Sequence, residues 1–245
     1  MYSRILVPLD ESKLAEQVLP YVTLFAGVFQ SRIELIKVLE ALPPSTKGDP
    51  GRVLRSRFMA SMRGQAQDYL EGVATTLREE GLTASAMAQR GSLASCIVNE
   101  AERETSTLIA MATRRRSGIP RRVLGSVTDK VLGSTNNPLL IIRPWEQEAP
   151  TLAVKLNTVI VPLDGSHLAE QVLPHVVALS KALALTVILV RVTPSHVFTL
   201  TSRRYENREQ DAQAFEYAHD VKQNLYRQGV VGVEDMLLRG HPADG

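Results

Sequence analysis

The sequence predicts an α/β fold, a doubly wound open parallel sheet with helices on both faces, laid down twice along one chain. Three observations predict it. An apolar run without alternation over 4–8, around Ile5-Leu6-Val7, suits a strand buried on both faces. Such runs alternate with helical patterns, which means parallel strands joined by right-handed crossovers. Finally, Val7-Pro8-Leu9-Asp10 returns as Val161-Pro162-Leu163-Asp164.

That return is part of a long internal repeat. From 7 to 22, 13 of 16 positions equal those at 161 to 176; the differences are Glu11/Gly165, Lys13/His167 and Tyr21/His175. The register runs on without a gap to Val38 and Val192. Arg90-Gly91 then matches Arg239-Gly240 at a smaller displacement, so an intervening loop is shorter in the second copy. The first copy continues to Arg143-Pro144, while the second has only His241 to Gly245 left. The expected organisation is a first domain over 1–144, a linker over 145–156, and an incomplete second domain over 157–245. The stretch from Pro144 to Pro150, with two prolines and two acids, marks the linker.

Within the first copy, 4–8 reads as the first strand. Ser12 then offers an N-cap to a helical pattern carrying Leu14, Val18, Leu19, Val22 and Phe25, which Pro20 should kink or break. A second strand is expected over 32–39, a breaker-rich loop over 42–51, and a long helix over 61–80 ended by Gly81. A third strand follows over 84–89, then a short helix capped by Ser92 and running to Arg103. The fourth strand spans 107–111 and leads into a basic loop over 112–122. A helix over 126–132 stops at Gly133, and Asn137-Pro138 introduces a fifth strand over 139–143.

Composition narrows the function. A net charge of +2 gives no global pull towards nucleic acid or an anionic membrane, and 5% aromatics leave few stacking platforms. The single cysteine, Cys96, can form no intrachain disulfide and suits a small apolar filler. Met1-Tyr2-Ser3-Arg4 runs into the first strand without a signal pattern, and the most apolar stretch, from Ala182 to Val190, is too short for a bilayer. A cytoplasmic protein is expected, with no membrane partner and no nucleic acid.

In open parallel sheets the ligand crevice lies beyond the strand carboxyl ends, where the strand order reverses. If the first and fourth strands are neighbours, Asp10 and the segment from Ala112 to Ser126 meet there. Gly125-Ser126 at a helix start has two readings: an anion site made by first-turn amides and the helix dipole, or an ordinary serine N-cap. Asp10 also has two: an acceptor for a ribose hydroxyl or adenine amine, or a turn former after the strand. Arg114, Arg115, Arg116, Arg121 and Arg122 admit three: a solvated loop, a phosphate clamp, or a contact to nucleic-acid backbone.

These residues carry a resemblance. The first strand with its Asp10, Leu35-Ile36-Lys37-Val38, the run from Met111 to Gly118 leading to Leu124-Gly125-Ser126-Val127, and the closing Asn137-Pro138-Leu139-Leu140-Ile141-Ile142-Arg143-Pro144 resemble a universal stress protein. The resemblance covers the whole first copy and the second as far as it goes. It implies a five-stranded parallel sheet in the order 3-2-1-4-5, and a tandem chain. It also implies an adenine-nucleotide site, for ATP or a relative with Mg accompanying it, at Pro8, Leu9, Asp10, Val38, Ala112, Arg115, Gly125, Ser126 and Val127. One branch of that family binds ATP through Gly-x-x-Gly, nine residues, then Gly-Ser/Thr. Here Ala112 and Arg115 stand at the first two glycine positions. Arginine at the second either fills the space a phosphate needs or swings out and pairs with it. The resemblance further implies a homodimer through the fifth strand, 139–143. The second copy, without a counterpart of Gly125-Ser126, is expected to bind no nucleotide alone and to expose its first strand as an edge.

Catalysis has little footing. No Walker A loop and no Gly-x-Gly-x-x-Gly follows a strand, and the histidines at 167, 175, 196, 219 and 241 lack metal spacing. Three classes stand: a nucleotide-binding stress or signalling module, a ligand-free dimeric interaction protein, and a weak ATPase.

Overall fold

Ile5, Leu6 and Val7 are fully buried, as their lack of alternation requires of a strand covered on both faces. They form β1 (Arg4–Pro8) in a computed structural model that describes residues 1–40, 52–113, 124–143, 154–193 and 203–240. The chain divides into two units, Met1–Val154 and Lys155–Gly245.

In the first unit β1 is followed by α1 (Lys13–Glu16), α2 (Leu19–Phe29), β2 (Arg32–Leu39), α3 (Arg52–Glu79) and β3 (Ala84–Arg90). Then come α4 (Leu93–Ala101), β4 (Thr107–Ala112), α5 (Ser126–Leu132) and β5 (Leu139–Ile142). The strands form one parallel sheet in the order β3-β2-β1-β4-β5, the order the resemblance implies. Leu6, Ile36, Ile97, Ile109, Met111 and Val131 make one buried cluster, which joins the centre of the sheet to α4 and α5. Burying each such side chain contributes about 1.5–3 kcal/mol.

Pro20 breaks the first helical pattern rather than kinking it. α1 ends at Glu16, and α2 restarts at Leu19 with Pro20 in its first turn, where a missing N–H costs nothing. The long helix begins at Arg52, nine residues ahead of the expected start at 61. Those early turns bury Met59 while Val53, Leu54 and Phe58 stay exposed, so they carry no regular apolar face to read. The loop over 42–51, most of the basic loop and most of the linker lie outside the described residues.

Arg4 is a buried ion in the first unit. Its Nε lies 2.6 Å from Glu34 Oε2, its Nη2 3.2 Å from Glu100 Oε1 and its Nη1 3.5 Å from Glu104 Oε1. The Glu34 contact is ionic rather than a well-aligned hydrogen bond. Glu104 is also paired with Arg32, whose hydrogen bond, with the charge of Arg4, holds the Glu104 carboxyl below its usual range.

The second unit repeats the start of this plan: β6 (Thr158–Pro162), α6 (His167–Glu170), α7 (Leu173–Leu183), β7 (Thr186–Thr193), α8 (Arg203–Arg227) and β8 (Val233–Arg239). Its parallel sheet has three strands, in the order β6-β7-β8. β6 is an edge here, whereas its counterpart β1 is flanked on both sides. Ile160 on β6 is 64% exposed where its counterpart Leu6 is 0%. Among the described residues no helix is long and apolar enough to cross a membrane.

Candidate functional site

The strand order reverses between β1 and β4: β2 and β3 lie to one side of β1, β4 and β5 to the other. Such a switch point leaves a crevice at the carboxyl ends of the two strands. A cavity of about 340 Å³ opens there, lined by Pro8, Leu9 and Asp10 after β1, by Met111, Ala112 and Thr113 at the end of β4, and by 124–128 at the start of α5. Leu14 and Ala15 of α1 and Leu93 and Ile97 of α4 complete walls that are mainly apolar. The volume falls within the range of small-molecule sites.

Asp10 is exposed, and the amide and hydroxyl of Ser12 both donate to its Oδ1, at 3.0 and 2.5 Å. The turn-forming reading of Asp10 therefore holds. It uses one carboxylate oxygen and does not consume Oδ2, so the acceptor reading stands beside it. Ser12 is also the N-cap of α1, accepting from Ala15 N at 3.1 Å.

Glu11, next in the turn, has φ +67°. That left-handed conformation costs a residue with a side chain roughly 1–2 kcal/mol. Its carboxylate is ion-paired with Lys37 of β2, but Glu11 is 47% exposed, and such a pair contributes only about 0–1 kcal/mol. Lys37 Nζ lies 5.8 Å above the ring of Tyr69 on α3, and the Tyr69 hydroxyl donates to Glu16 Oε1 at 2.7 Å. Burial first, then the Glu16 hydrogen bond and the charges of Glu16, Glu11 and Asp10, pushes the Tyr69 phenol far up, so it stays protonated.

At the opposite loop the serine N-cap reading is corrected. The N-cap of α5 is Gly125, with extended φ −66° and ψ 150°, and Ser126 is the first helical residue, exposed and outside any capping bond. First-turn amides of a helix, here those of Ser126, Val127 and Thr128, lack intrahelical acceptors. Gly125 is not needed for its φ; it is needed for closeness. Its N–H donates to Thr113 Oγ1 at 3.1 Å, and a Cβ at 125 would lie 3.2 Å from that oxygen.

Of the expected site residues, Pro8, Leu9, Asp10, Ala112, Gly125, Ser126 and Val127 line the one cavity. Ala112 is paired with Ile142 in extended β4, a conformation open to any residue, so replacing the first glycine of the pattern strains nothing. Val38 is not in the cavity wall; it packs against the apolar cluster of the sheet. Arg115, with Arg114, Arg116, Arg121 and Arg122, lies outside the described residues. Thr113 was absent from the expected set. A polar residue closing an apolar strand was the sequence signal for it; its burial and its bond from Gly125 are visible only in the fold.

A family model described as the universal stress protein family matches residues 1–143 and 155–245 of this chain. Universal stress protein MJ0531 of Methanocaldococcus jannaschii is 25% identical over 148 residues, 60% of this chain and 86% of the relative. Universal stress protein YxiE of Bacillus subtilis is 26% identical over 148 residues, 58% of this chain and 100% of the relative. The crystal structure of a universal stress protein from Archaeoglobus fulgidus covers 100% of this chain and 81% of its own, with a TM-score of 0.73 at 20% identity, a likeness of fold.

Proposed function

The chain belongs to the universal stress protein family, and from that premise we propose that its first unit is an adenine-nucleotide-binding module, for ATP or a related nucleotide, in a stress-response or signalling protein. The observation that carries this reading is the convergence of two chemistries on one cavity: the Asp10 carboxylate after β1 and the first-turn amides of α5. Asp10 would accept ribose hydroxyls through the oxygen its own turn leaves over. The amides of Ser126 and Val127, with the Ser126 hydroxyl, would face phosphate oxygens, and the close seat of Gly125 on Thr113 brings that backbone to the cavity wall.

Pro8, Leu9 and Ala112 supply walls to the nucleotide, Val38 supports them from the sheet, and Arg115 is assigned to a phosphate. Among the described residues no group of three or more His, Cys, Asp or Glu is gathered as for a metal. Mg would therefore arrive with the phosphates that ligate it. The reading places the protein in the cytoplasm as a homodimer through β5. In its favour, β5 ends the sheet and its four residues are only half-buried.

Extraction of the purified chain followed by chromatography tests the nucleotide, with titration by ATP and AMP. Bound adenine nucleotide, lost in Asp10→Ala and weakened in Ser126→Ala, is the expected result. A chain that neither carries nor takes up nucleotide overturns the reading.

A further inference from the structure

The duplication provides a comparison within one molecule. The turn after the first strand is built alike in both units. Asp10 and Asp164 each accept the amide of the serine two residues on, at 3.0 and 2.8 Å, and the residue between is left-handed in both, with φ +67° at Glu11 and +86° at Gly165. Each turn faces a cation from the second strand of its unit, Lys37 on β2 and Arg191 on β7. Each cation lies over a tyrosine of the long helix, at 5.8 Å from the Tyr69 ring and 5.0 Å from the Tyr217 ring.

The two cations differ in the anion they serve. Lys37 is paired with Glu11. Gly165 has no side chain, and the Arg191 guanidinium takes up the vacated space: a Cβ at 165 would lie 3.4 Å from both Nη1 and Nη2. The Ser166 hydrogen bonds hold the Asp164 carboxyl below its usual range, and the charge of Arg191 adds to them without an ion pair between the two. In the first unit the charges of Asp10 and Glu11 both bear on the Tyr69 hydroxyl, and Lys37 lies over the ring of the same tyrosine.

Stability does not select glutamate at position 11. Glycine takes the left-handed turn freely, and an ion pair with a half-exposed partner at best offsets the cost glutamate incurs. We propose that Glu11 is a positioning residue: it holds Lys37 away from Asp10 and so keeps the Asp10 carboxylate available to the hydroxyls of a sugar. The proposal rests on the nucleotide reading for the identity of that sugar. It assigns the Glu11/Gly165 difference a role: in the first unit a carboxylate in the turn engages the neighbouring cation, and in the second the turn has none and the cation lies against Gly165.

The test uses Glu11→Gly, Lys37→Met and the double variant in the full chain. A crystal structure of Glu11→Gly should show Lys37 Nζ moved to the Asp10 carboxylate, within about 4 Å. Affinity for AMP should fall roughly three- to tenfold in Glu11→Gly, without loss of thermal stability, and return to within about twofold of the parent in the double variant. A merely structural role for Glu11 would not give rescue by removal of a second charge. Lys37 staying clear of Asp10 in the Glu11→Gly crystal overturns the proposal, as does an affinity loss that Lys37→Met fails to reverse. If the parent chain takes up no AMP, the nucleotide reading fails on its own, and the position of Lys37 still decides whether Glu11 steers it.

Discussion

The amide of Gly125 donates to Thr113 Oγ1 at 3.1 Å, which fastens the start of α5 to the end of β4 so closely that a Cβ at 125 would lie 3.2 Å from that oxygen. Thr113 is buried, so its hydroxyl is a specific tie rather than a surface group. Thr113→Val keeps the shape and removes the acceptor. It should destabilise the first unit by about 1–3 kcal/mol and weaken nucleotide binding, while Thr113→Ser retains both. Thermal unfolding and titration of the two variants check this; equal melting of Thr113→Val and the parent would mean the tie contributes nothing.

Leu6 and Ile160 hold the same place in the two copies, one fully buried and the other mostly exposed. Leu6→Ala should cost about 2–5 kcal/mol, with a cavity left beneath α4. Ile160→Ala should change stability by no more than about 0.5 kcal/mol. Hydrogen exchange resolved by unit separates the two effects. Because β6 is an uncharged edge strand, Ile160→Lys should lower the tendency of the chain to self-associate, read by light scattering over a dilution series.

Arg4 sits buried among Glu34, Glu100 and Glu104, with Glu100 itself nearly inaccessible. Removing the cation leaves the Glu100 carboxylate to Gln89 and to Arg103, which is mostly exposed. Arg4→Ala should therefore cost about 1–3 kcal/mol, seen as lost exchange protection along β1 and β2. The second copy has Thr158 at this place and Ile188 where the first has Glu34, so Thr158→Ala should be mild by the same measurement.

His175 replaces Tyr21 in the second copy, and burial lowers its pKa below the ordinary imidazole value. The unfolded chain binds the proton more readily than the folded one. The stability His175 contributes is therefore complete above about pH 6.5 and is lost as pH falls through the lowered folded value. Exchange protection of α7 should hold above about pH 6.5 and drop as the pH falls below it. His175→Tyr, which restores the residue of the first copy, should remove that dependence; an unchanged drop would assign it to other groups.

Much of the fold was legible because its two central strands are doubly buried and read as apolar runs: β1 and β4 fall where Ile5-Leu6-Val7 and its counterpart place them, and β2 and the half-buried edge β5 fall at their expected positions too. The start of α3 was not, since Val53, Leu54 and Phe58 point into solvent and leave no periodic face. The cavity followed from Asp10 and Gly125 once β1 and β4 proved to be neighbours. What sequence alone obscured was backbone geometry. Gly125 rather than Ser126 caps α5, and Glu11 adopts a glycine conformation that nothing in its own copy announces. The repeat did hold that signal, in the glycine at 165.

The central claim is that the cavity between β1 and β4 takes an adenine nucleotide through Asp10. Calorimetric titration of the purified chain with ATP, before and after Asp10→Ala, tests it most directly. The account predicts saturable binding to the parent, weakened roughly tenfold or more by the substitution, as befits loss of a hydrogen-bonded carboxylate. No heat of binding at about 1 mM ATP, with no nucleotide released on denaturing the protein, would contradict it.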